Sequence, residues 1–325
     1  MDEFSFIDKI KQKFYHQSGL IKGIGDDGAV FRQNSQDIVT AADLFVENVH
    51  FTRKTMNAFQ IGYRALAANL SDLAAMAAVP GYYLVSVVIP KSWPIEDITQ
   101  IFSGMKELAG KYNMDLIGGD TVRGELLTIS ITIIGFVEKD KARYRNAAYQ
   151  GDIVFVTGSL GDSQAGFHIL TNPADYLDDN YFIGRHRMPT PRIEFANALK
   201  NLPRVALNDI SDGIASEAAE IASASCVNII LDDEKIPVSP SYHQFPADLQ
   251  DKWKYYGGED FELMGTVAKN NWGKLKIAAE RTNTRVTEIG YVTMDEYNDG
   301  PVFLMKNNKK KRLEKKGYNH LKQVK

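Results

Sequence analysis

Cysteine is almost absent from this sequence: Cys226 is the only one among 325 residues, and there are six histidines. A single cysteine excludes an intramolecular disulfide. The cysteine and the six histidines form no motif typical of a zinc site. Such usage is typical of proteins in a reducing compartment. We therefore expect a cytoplasmic protein.

Excess charge and long apolar runs are also lacking. The net charge is −3 at pH 7, which gives the whole protein no attraction to nucleic acid or to a membrane surface. The longest apolar stretches, ALAANLSDLAAMAAV and LLTISITIIGFV, are too short to span a bilayer, and the acidic N-terminus lacks the pattern of a signal peptide. We expect neither nucleic acid nor membrane as a partner, so any anionic substrate must be bound by local groups.

The common nucleotide-binding and nucleophile motifs are incomplete or missing. GSLGDSQAG, at 158–166, has the glycines of a P-loop without its Gly-Lys-Ser/Thr ending. The motif set of protein kinases and the G-x-S-x-G turn of serine hydrolases are absent from the sequence. If ATP is bound, acidic side chains must hold it through Mg²⁺.

The loop GIGDDG, at 23–28, has the glycine spacing of a dinucleotide-binding loop but the wrong flanks. The preceding segment predicts an amphipathic helix, with apolar residues from Phe6 to Leu20, where that motif requires a strand. The following segment predicts two strands joined by a polar turn at 34–36. Asp26 and Asp27 would repel a bare phosphate, so the loop is better suited to cations.

Four further segments place a carboxylate beside glycine or at a strand end: TAAD, IGGD, DISDG and YGGED. Each one alone is typical of a turn or a helix cap, and in DISDG Ser211 and Asp212 are candidate caps for the following helix. Together, carboxylates on strand ends and helix starts are hard oxygen ligands suited to Mg²⁺ that shares its ligands with phosphates. The sequence thus predicts a magnesium–nucleotide site.

Asp72 is unusual because its neighbours on the predicted helix are mostly apolar. Leu70, Leu73 and Met76 leave little polar surface around it. A buried carboxylate without a partner costs several kcal/mol, so Asp72 requires a cation, a hydrogen-bond network or a proton. Two interpretations stay open: a metal ligand, or a buried structural aspartate hydrogen-bonded to a helix N-terminus.

The order of helix-like and strand-like segments predicts an α/β (or α+β) protein with two domains. The first contains an Ala-rich helix at about 58–78 and a helix opened by SWPIED, with Ser92 as its N-cap. The charged connector EKDKARYRNAAYQ interrupts the pattern, and a new strand–turn–helix unit begins at Gly151. We place the domains at 1–149 and 150–325.

Nine segments form an ordered set that runs through nearly the whole chain: GIGDDGAV, DLFVENVHF, ALAANLSDLAAM, LIGGDTVRG, GDIVFVTGSLGDSQAG, RHRMPTPR, ISDGIASE, GGEDFEL and KKGYNH. This set resembles the thiamine-monophosphate kinases, in the superfamily of aminoimidazole ribonucleotide synthetase and selenophosphate synthetase. The resemblance implies a two-domain fold like aminoimidazole ribonucleotide synthetase, with an N-terminal mixed-sheet domain that forms a homodimer interface and a C-terminal α/β domain that completes the active site. It also implies ATP-dependent phosphorylation of thiamine monophosphate to thiamine diphosphate.

The resemblance implies roles for individual residues as well. The implied catalytic residues, which hold several Mg²⁺ ions around the phosphates, are Asp27, Asp43, Asp72, Asp120 and Asp209, with Asp212 holding a further ion. The implied nucleotide contacts are Tyr112, Gly119, Asp120, Arg145 and Ser211. The implied contacts to the thiamine part of the substrate are His50 and Glu259.

Two positions depart from the pattern of the family. The family usually has Ser/Thr-Thr before the strand-end aspartate, whereas this chain has Ala41-Ala42, which leaves their backbone carbonyls or the Thr40 hydroxyl as metal ligands. An aromatic residue that lies against the substrate aligns with Lys315, so either Tyr318 stacks on the thiazolium or that contact is weaker. The alternative functions are another ATP-dependent synthetase of the superfamily and a noncatalytic Mg-nucleotide sensor.

Overall fold

The computed structural model describes residues 20–22, 26, 29–33, 35–294 and 300–316. Within these ranges the chain forms two sheets and eight α-helices. The helix predicted before Leu20, most of the GIGDDG loop with Asp27, and Tyr318 lie outside the described residues.

The first sheet has six strands in the order β1-β2-β3-β6-β4-β5. They are β1 Leu20–Lys22, β2 Ala29–Gln33, β3 Gln36–Val46, β4 Val79–Ile89, β5 Asp115–Arg123 and β6 Thr128–Glu138. Neighbouring strands are antiparallel except β4 and β5, which are parallel. The two strands predicted on either side of the turn at 34–36 are confirmed as the β2–β3 pair.

Two helices pack together beside this sheet. Helix α1, Ala58–Ala75, begins with a capping box in which Asn57 and Gln60 each accept a hydrogen bond from the other's backbone N–H. It ends before the predicted 78, because Ala77 turns the chain with a φ of 53° and β4 begins two residues later. Helix α2, Ile95–Lys111, has Pro94 at its N-cap and no side-chain cap, so the predicted capping by Ser92 is wrong.

The second sheet has seven strands in the order β13-β12-β9-β11-β7-β10-β8. They are β7 Ile153–Thr157, β8 Val205–Asp209, β9 Val227–Asp232, β10 Leu263–Val267, β11 Val286–Met294, β12 Val302–Lys306 and β13 Lys309–Arg312. The associated helices are α3 Asp162–Thr171, α4 Asp179–Arg187, α5 Ile193–Ala198, α6 Ile214–Ser225, α7 Ala247–Tyr256 and α8 Trp272–Arg281. Strands β9 and β12 are parallel, and the other neighbours are antiparallel.

Helix α1 belongs to the cores of both halves. Every residue at 61–75 is buried except Asp72. The apolar cluster around α1 includes Ile131 from the first sheet and Phe155 and Leu207 from the second. A separate cluster packs α6 against the other face of the second sheet. Helix α1 therefore brings its few polar side chains to the junction between the two sheets.

The helices give no indication of a membrane segment. In the part of the chain that the structure describes, none of them combines the length and the apolar character needed to cross a bilayer.

Candidate functional site

Asp209, at the end of β8, is buried at the junction of the two sheets. Its Oδ2 accepts a hydrogen bond from Ser71 Oγ of α1 at 2.7 Å. The pKa of Asp209 is raised to about 6, mainly by burial; Ser71 and Arg145 act in the opposite direction, and Asp43 and Asp212 raise it further. The fold thus brings Asp43 and Asp212 within electrostatic reach of Asp209, and such crowding of like charges favours a bound cation.

Asp72 follows Ser71 on the same helix. It is partly exposed, in contrast to the fully buried residues on either side of it. The interpretation as a structural aspartate required a buried side chain, so this exposure argues against it. An aspartate that reaches the surface next to the Asp209 contact fits the interpretation as a ligand.

The turn DISDG does not cap the helix that follows it. The N-cap residue of α6 is Gly213, and no side chain caps the helix, so the candidate capping by Ser211 or Asp212 is wrong. Instead, Glu217 from the first turn of α6 accepts hydrogen bonds from Asp212 N at 3.0 Å and from Asn208 Nδ2 at 2.6 Å. The backbone of the turn is therefore held from inside the helix.

Arg145 lies against the same turn with only 15% of its side chain exposed. Its Nε donates a hydrogen bond to Asn208 Oδ1 at 3.0 Å, and its Nη1 lies 3.5 Å from Glu220 Oε2. The Nζ of Lys315 contacts the other carboxylate oxygen of Glu220. The structure therefore places Lys315 on the Arg145 side of the site.

Asp26 is the aspartate of GIGDDG that the structure describes. Lys22 Nζ and Arg145 Nε lie 3.4 and 3.8 Å from its carboxylate oxygens. Both oxygens are buried and have no hydrogen-bond partner among the described residues. Burial raises the pKa of Asp26. A buried carboxylate in this state is stabilised by a further cation or by a proton.

The IGGD segment forms part of the edge strand β5. A Cβ on Gly119 would lie 1.8 Å from the carbonyl oxygen of Val85, so glycine is required where β5 pairs with β4. Asp120 is exposed, and its Oδ1 accepts a hydrogen bond from Thr121 N at 2.8 Å. Asp120 therefore does not share the buried surroundings of Asp209.

Tyr112 contacts the second half of the chain, and the predicted ligands Thr40, Ala41 and Ala42 lie on β3. The Tyr112 hydroxyl donates a hydrogen bond to Pro191 O at 3.3 Å, which joins the end of α2 to the segment before α5. In β3, Thr40 pairs with both β2 and β6, whereas Ala41 and Ala42 pair with β6 beyond the end of the described β2 pairing.

His50 lies just after β3 and is half-buried. Its Nδ1 accepts a hydrogen bond from Val46 N at 3.1 Å, and its ring stacks on Phe45 with 5.1 Å between centroids. A neutral ring that accepts at Nδ1 carries its proton on Nε2, so Nε2 is the hydrogen-bond donor of this histidine.

The YGGED loop is fastened to the DISDG turn. A Cβ on Gly258 would lie 2.2 Å from Ser211 O, and Glu259 N donates a hydrogen bond to that same oxygen at 2.7 Å. The side chain of Glu259 turns towards α1, where its Oε2 lies 2.8 Å from Arg64 Nη2. The loop thus connects Ser211 with the helix that carries Ser71.

The two acids that follow Glu259 have structural roles. Asp260 accepts hydrogen bonds from Gly161 N at 2.6 Å and Ser163 N at 3.0 Å, so it uses the N–H groups that a P-loop would offer to phosphate. Glu262 is fully buried and accepts from Arg185 Nη2 at 2.8 Å and Arg192 Nε at 2.6 Å. Two of the three arginines of RHRMPTPR are thereby accounted for, and the third, Arg187, donates from Nε to Thr55 O at 2.6 Å.

The predicted magnesium ligands fit that ion by their chemistry. The carboxylates around Asp209 are hard donors, and so are the buried oxygens of Asp26, which was not among the predicted ligands. Mg²⁺ usually keeps several waters and so does not need a complete protein cage. Among the residues that the structure describes, no three His, Cys, Asp or Glu side chains are close enough together to hold a metal ion, and Asp27 is not one of those residues.

Matches to protein-family models follow the two sheets. Residues 25–137 match the AIR synthase related protein, N-terminal domain, and residues 150–300 match the AIR synthase related protein, C-terminal domain. These matches cover more than half of the chain and confirm the predicted two-domain fold. The chain therefore belongs to the AIR synthase related proteins.

Full-length relatives narrow this class. A thiamine-monophosphate kinase from Bacillus subtilis is 43% identical over 329 residues, covering 99% of this chain and 100% of that protein. One from Escherichia coli K12 is 37% identical over 307 residues, covering 92% and 91%. Within the AIR synthase related proteins, the chain is a member of the thiamine-monophosphate kinase family.

Solved structures agree with this assignment. The crystal structure of thiamine-monophosphate kinase from Stenotrophomonas maltophilia has a TM-score of 0.77 at 32% identity, covering 93% of this chain and 96% of that one. The structure of AaThiL complexed with AMPPCP and TMP has a TM-score of 0.84 at 30% identity, covering 98% and 97%.

Several residues of the site were not predicted from the sequence. Arg64, Asn208 and Glu217 contact predicted site residues, and each lies within or next to a segment already singled out. A signal for Arg64 was present: it is a charged residue in a helix of apolar neighbours, the same feature that identified Asp72. Asn208 carries no comparable signal because polar residues at strand ends are common.

Proposed function

We propose that this protein transfers the γ-phosphoryl group of ATP directly to thiamine monophosphate, giving thiamine diphosphate and ADP. The observation that carries the proposal is the buried Asp209, which is held by Ser71 of α1 and lies within electrostatic reach of Asp43, Asp212 and Arg145. Two comparisons support the proposal. The full-length relatives are named thiamine-monophosphate kinases, and a solved structure of similar fold contains AMPPCP and TMP. The cysteine usage supports a cytoplasmic location.

The acceptor chemistry explains why the site is acidic and contains no obvious general base. Thiamine monophosphate is a phosphate monoester with a second pKa of about 6, so at neutral pH its oxygen is a nucleophile without help. The obstacle is the repulsion between two polyanions. Bound Mg²⁺ ions would neutralise that charge and stabilise the transferred group.

We propose the following roles for the residues of the chain. The residues that would hold Mg²⁺ are the aspartates and the β3 segment predicted above: Asp27, Asp43, Asp72, Asp120, Asp209 and Asp212, with Thr40 or the carbonyls of Ala41 and Ala42. Arg145, fixed by Asn208, orients a nucleotide phosphate through its planar fork. Tyr112, Gly119 and Ser211 complete the nucleotide side. His50 and Glu259 contact the thiamine part, with Lys315 or Tyr318 at its border.

The domains proposed for these roles are 1–149 and 150–325. In this division the N-terminal domain supplies the β3 and α1 ligands and the dimer interface. The C-terminal domain supplies Asp209, the DISDG turn and the YGGED loop.

Phosphorus NMR of the full chain with Mg-ATP and thiamine monophosphate tests the reaction. We expect a new β-phosphorus signal coupled to the thiamine ester phosphorus, in step with formation of ADP, and inversion at a chiral γ-phosphate. Binding of ATP without turnover would indicate the nucleotide sensor instead. ATP consumption that leaves thiamine monophosphate unchanged would indicate another synthetase of the superfamily.

We also propose that the protein is a homodimer that pairs through the first sheet. Strand β5 is a sheet edge whose residues are all exposed, and it carries Leu116, Ile117 and Val122. An exposed apolar edge strand is a template for pairing with another chain.

Sedimentation analysis of the full chain tests this interface. We expect wild type at the mass of two chains and Ile117→Lys shifted towards one chain, because a buried lysine would oppose pairing. Ile95→Lys is the matched control, since Ile95 is also exposed but lies at the start of α2. A wild-type monomer, or dissociation of both variants alike, would contradict the proposed interface.

A further inference from the structure

Arg64 is a fully buried cation in the apolar helix α1. Its side chain is 0% exposed, and its Nη2 forms an ion pair with Glu259 Oε2 at 2.8 Å. None of its three guanidinium nitrogens has a hydrogen-bond partner among the described residues, so the contact with Glu259 is an ion pair without hydrogen-bond geometry. Burying a guanidinium whose partners are one carboxylate and the Phe261 ring, with its centroid 5.7 Å from Cζ, is costly, which favours a role other than stability.

Glu259 is constrained from both halves of the protein. Its backbone N–H donates a hydrogen bond to Ser211 O, and its φ of 68° lies in the left-handed region, which residues other than glycine rarely adopt. Its carboxylate is held by Arg64 from α1, yet 29% of the side chain stays exposed. The backbone and the side chain together fix the direction of a carboxylate that still faces the exterior of the fold.

The other basic residues near this pair, all on α4, have different partners. Arg185 Nη2 donates to Glu262 Oε1 at 2.8 Å, and Arg187 Nε donates to Thr55 O at 2.6 Å. The pKa of His186 is lowered, mainly by burial and also by Arg64, so its ring is neutral. The charge of Glu259 is thus balanced by Arg64 in particular.

From this geometry we propose that Arg64 is a positioning residue for the acceptor substrate. It holds Oε2 of Glu259 and so presents Oε1 to the thiamine part, which offers an amino donor and a positively charged thiazolium ring. A charged acceptor in a fixed orientation makes a stronger hydrogen bond than a carboxylate that rotates in solvent. This inference rests on the proposed function, in which Glu259 faces thiamine.

Isothermal titration calorimetry tests the inference separately from turnover. We titrate thiamine monophosphate, and in a second series AMPPCP, into wild type, Arg64→Met, Arg64→Lys, Glu259→Gln and the Arg64→Met/Glu259→Gln double variant. We expect Arg64→Met to weaken thiamine monophosphate binding about tenfold, which corresponds to about 1.4 kcal/mol, with AMPPCP binding unchanged. Arg64→Lys keeps the positive charge, so it should recover most of the affinity.

The double variant shows whether Arg64 acts by positioning Glu259 or only by packing in the core. If Arg64 acts through Glu259, adding Arg64→Met to Glu259→Gln should change the Kd for thiamine monophosphate by less than about twofold. Arg187→Met, which removes a different cation between the halves, should leave thiamine monophosphate affinity unchanged. Additive effects in the double variant, or equal losses for both ligands, would overturn the inference.

If the proposed kinase activity is wrong, the titrations and the phosphorus NMR give a different combination of results. A wild type that binds thiamine monophosphate but shows no phosphorus transfer disproves the kinase activity, and the variants then still decide the role of Arg64. A wild type that does not bind thiamine monophosphate disproves both proposals. Thermal melts of each variant exclude unfolding as the cause of lost binding, and Arg64→Lys supplies the answer if Arg64→Met does not fold.

Discussion

Replacement of Asp72 by asparagine is expected to lower kcat for thiamine monophosphate phosphorylation at least about 100-fold, the scale of losing one group that stabilises charge in a transition state. Asparagine keeps the shape of the side chain and removes its charge. Because Asp72 is partly exposed, we expect the loss of its charge to cost little stability, and Tm should change by only a few degrees. Steady-state kinetics and calorimetry of the same preparation measure the two effects.

The control for this prediction is Asp175→Asn, which makes the same chemical change at an exposed position between α3 and α4. It should leave both kcat and Tm at the wild-type values. If Asp72→Asn lost stability in proportion to activity, the role of Asp72 would be structural and the proposed ligand set would lose a member.

The second large effect is expected for Glu262→Gln. Glu262 is fully buried between Arg185 and Arg192, and it also accepts a hydrogen bond from Thr157 Oγ1 at 2.6 Å. Removing its charge leaves two guanidinium groups without their counterion, which typically costs about 3–5 kcal/mol. Urea unfolding of both proteins measures the difference in free energy of unfolding.

The pH dependence of the free energy of unfolding is a further test of the role of Glu262. Burial alone would raise the pKa of Glu262, but Arg192 and Arg185 hold it below the usual range. A carboxyl with a lowered pKa stabilises the fold above its unfolded pKa and loses that contribution as the pH falls through its folded pKa. The difference in free energy of unfolding between wild type and Glu262→Gln should therefore become smaller as the pH is lowered.

An exposed ion pair provides the control for Glu262. Glu138 and Lys200 are 3.3 Å apart with more than half of each side chain exposed, so Glu138→Gln should change the free energy of unfolding by less than about 1 kcal/mol. Equal effects at Glu138 and Glu262 would show that the buried arginines find other partners or remain hydrated.

The sequence was most informative where a pattern extends over many residues. Helix α1 and the β2–β3 pair were predicted because periodicity, turn residues and an Ala-rich run all indicate the same structure. Asp72 was identified because a charge in an apolar helix is rare. These inferences needed no knowledge of which strand lies next to which.

Predictions failed where one backbone position decides the outcome. Ser92 and Ser211 are good capping residues, but Pro94 and Gly213 occupy the N-cap positions, and nothing in residue type alone distinguishes these registers. Likewise, the three acids of GGEDFEL look alike in sequence. Only the packing of the loop turns Glu259 towards α1 and encloses the other two among donors from α3, α4 and the segment before α5.

The burial of α1 against both sheets limits how the enzyme can move. A hinge between the halves would have to pull leucines and phenylalanines out of a shared apolar cluster into water, which costs roughly 1.5–3 kcal/mol for each side chain. Opening and closing of the two halves is therefore an expensive route for substrates. We expect substrates to enter and leave while this shared cluster stays intact.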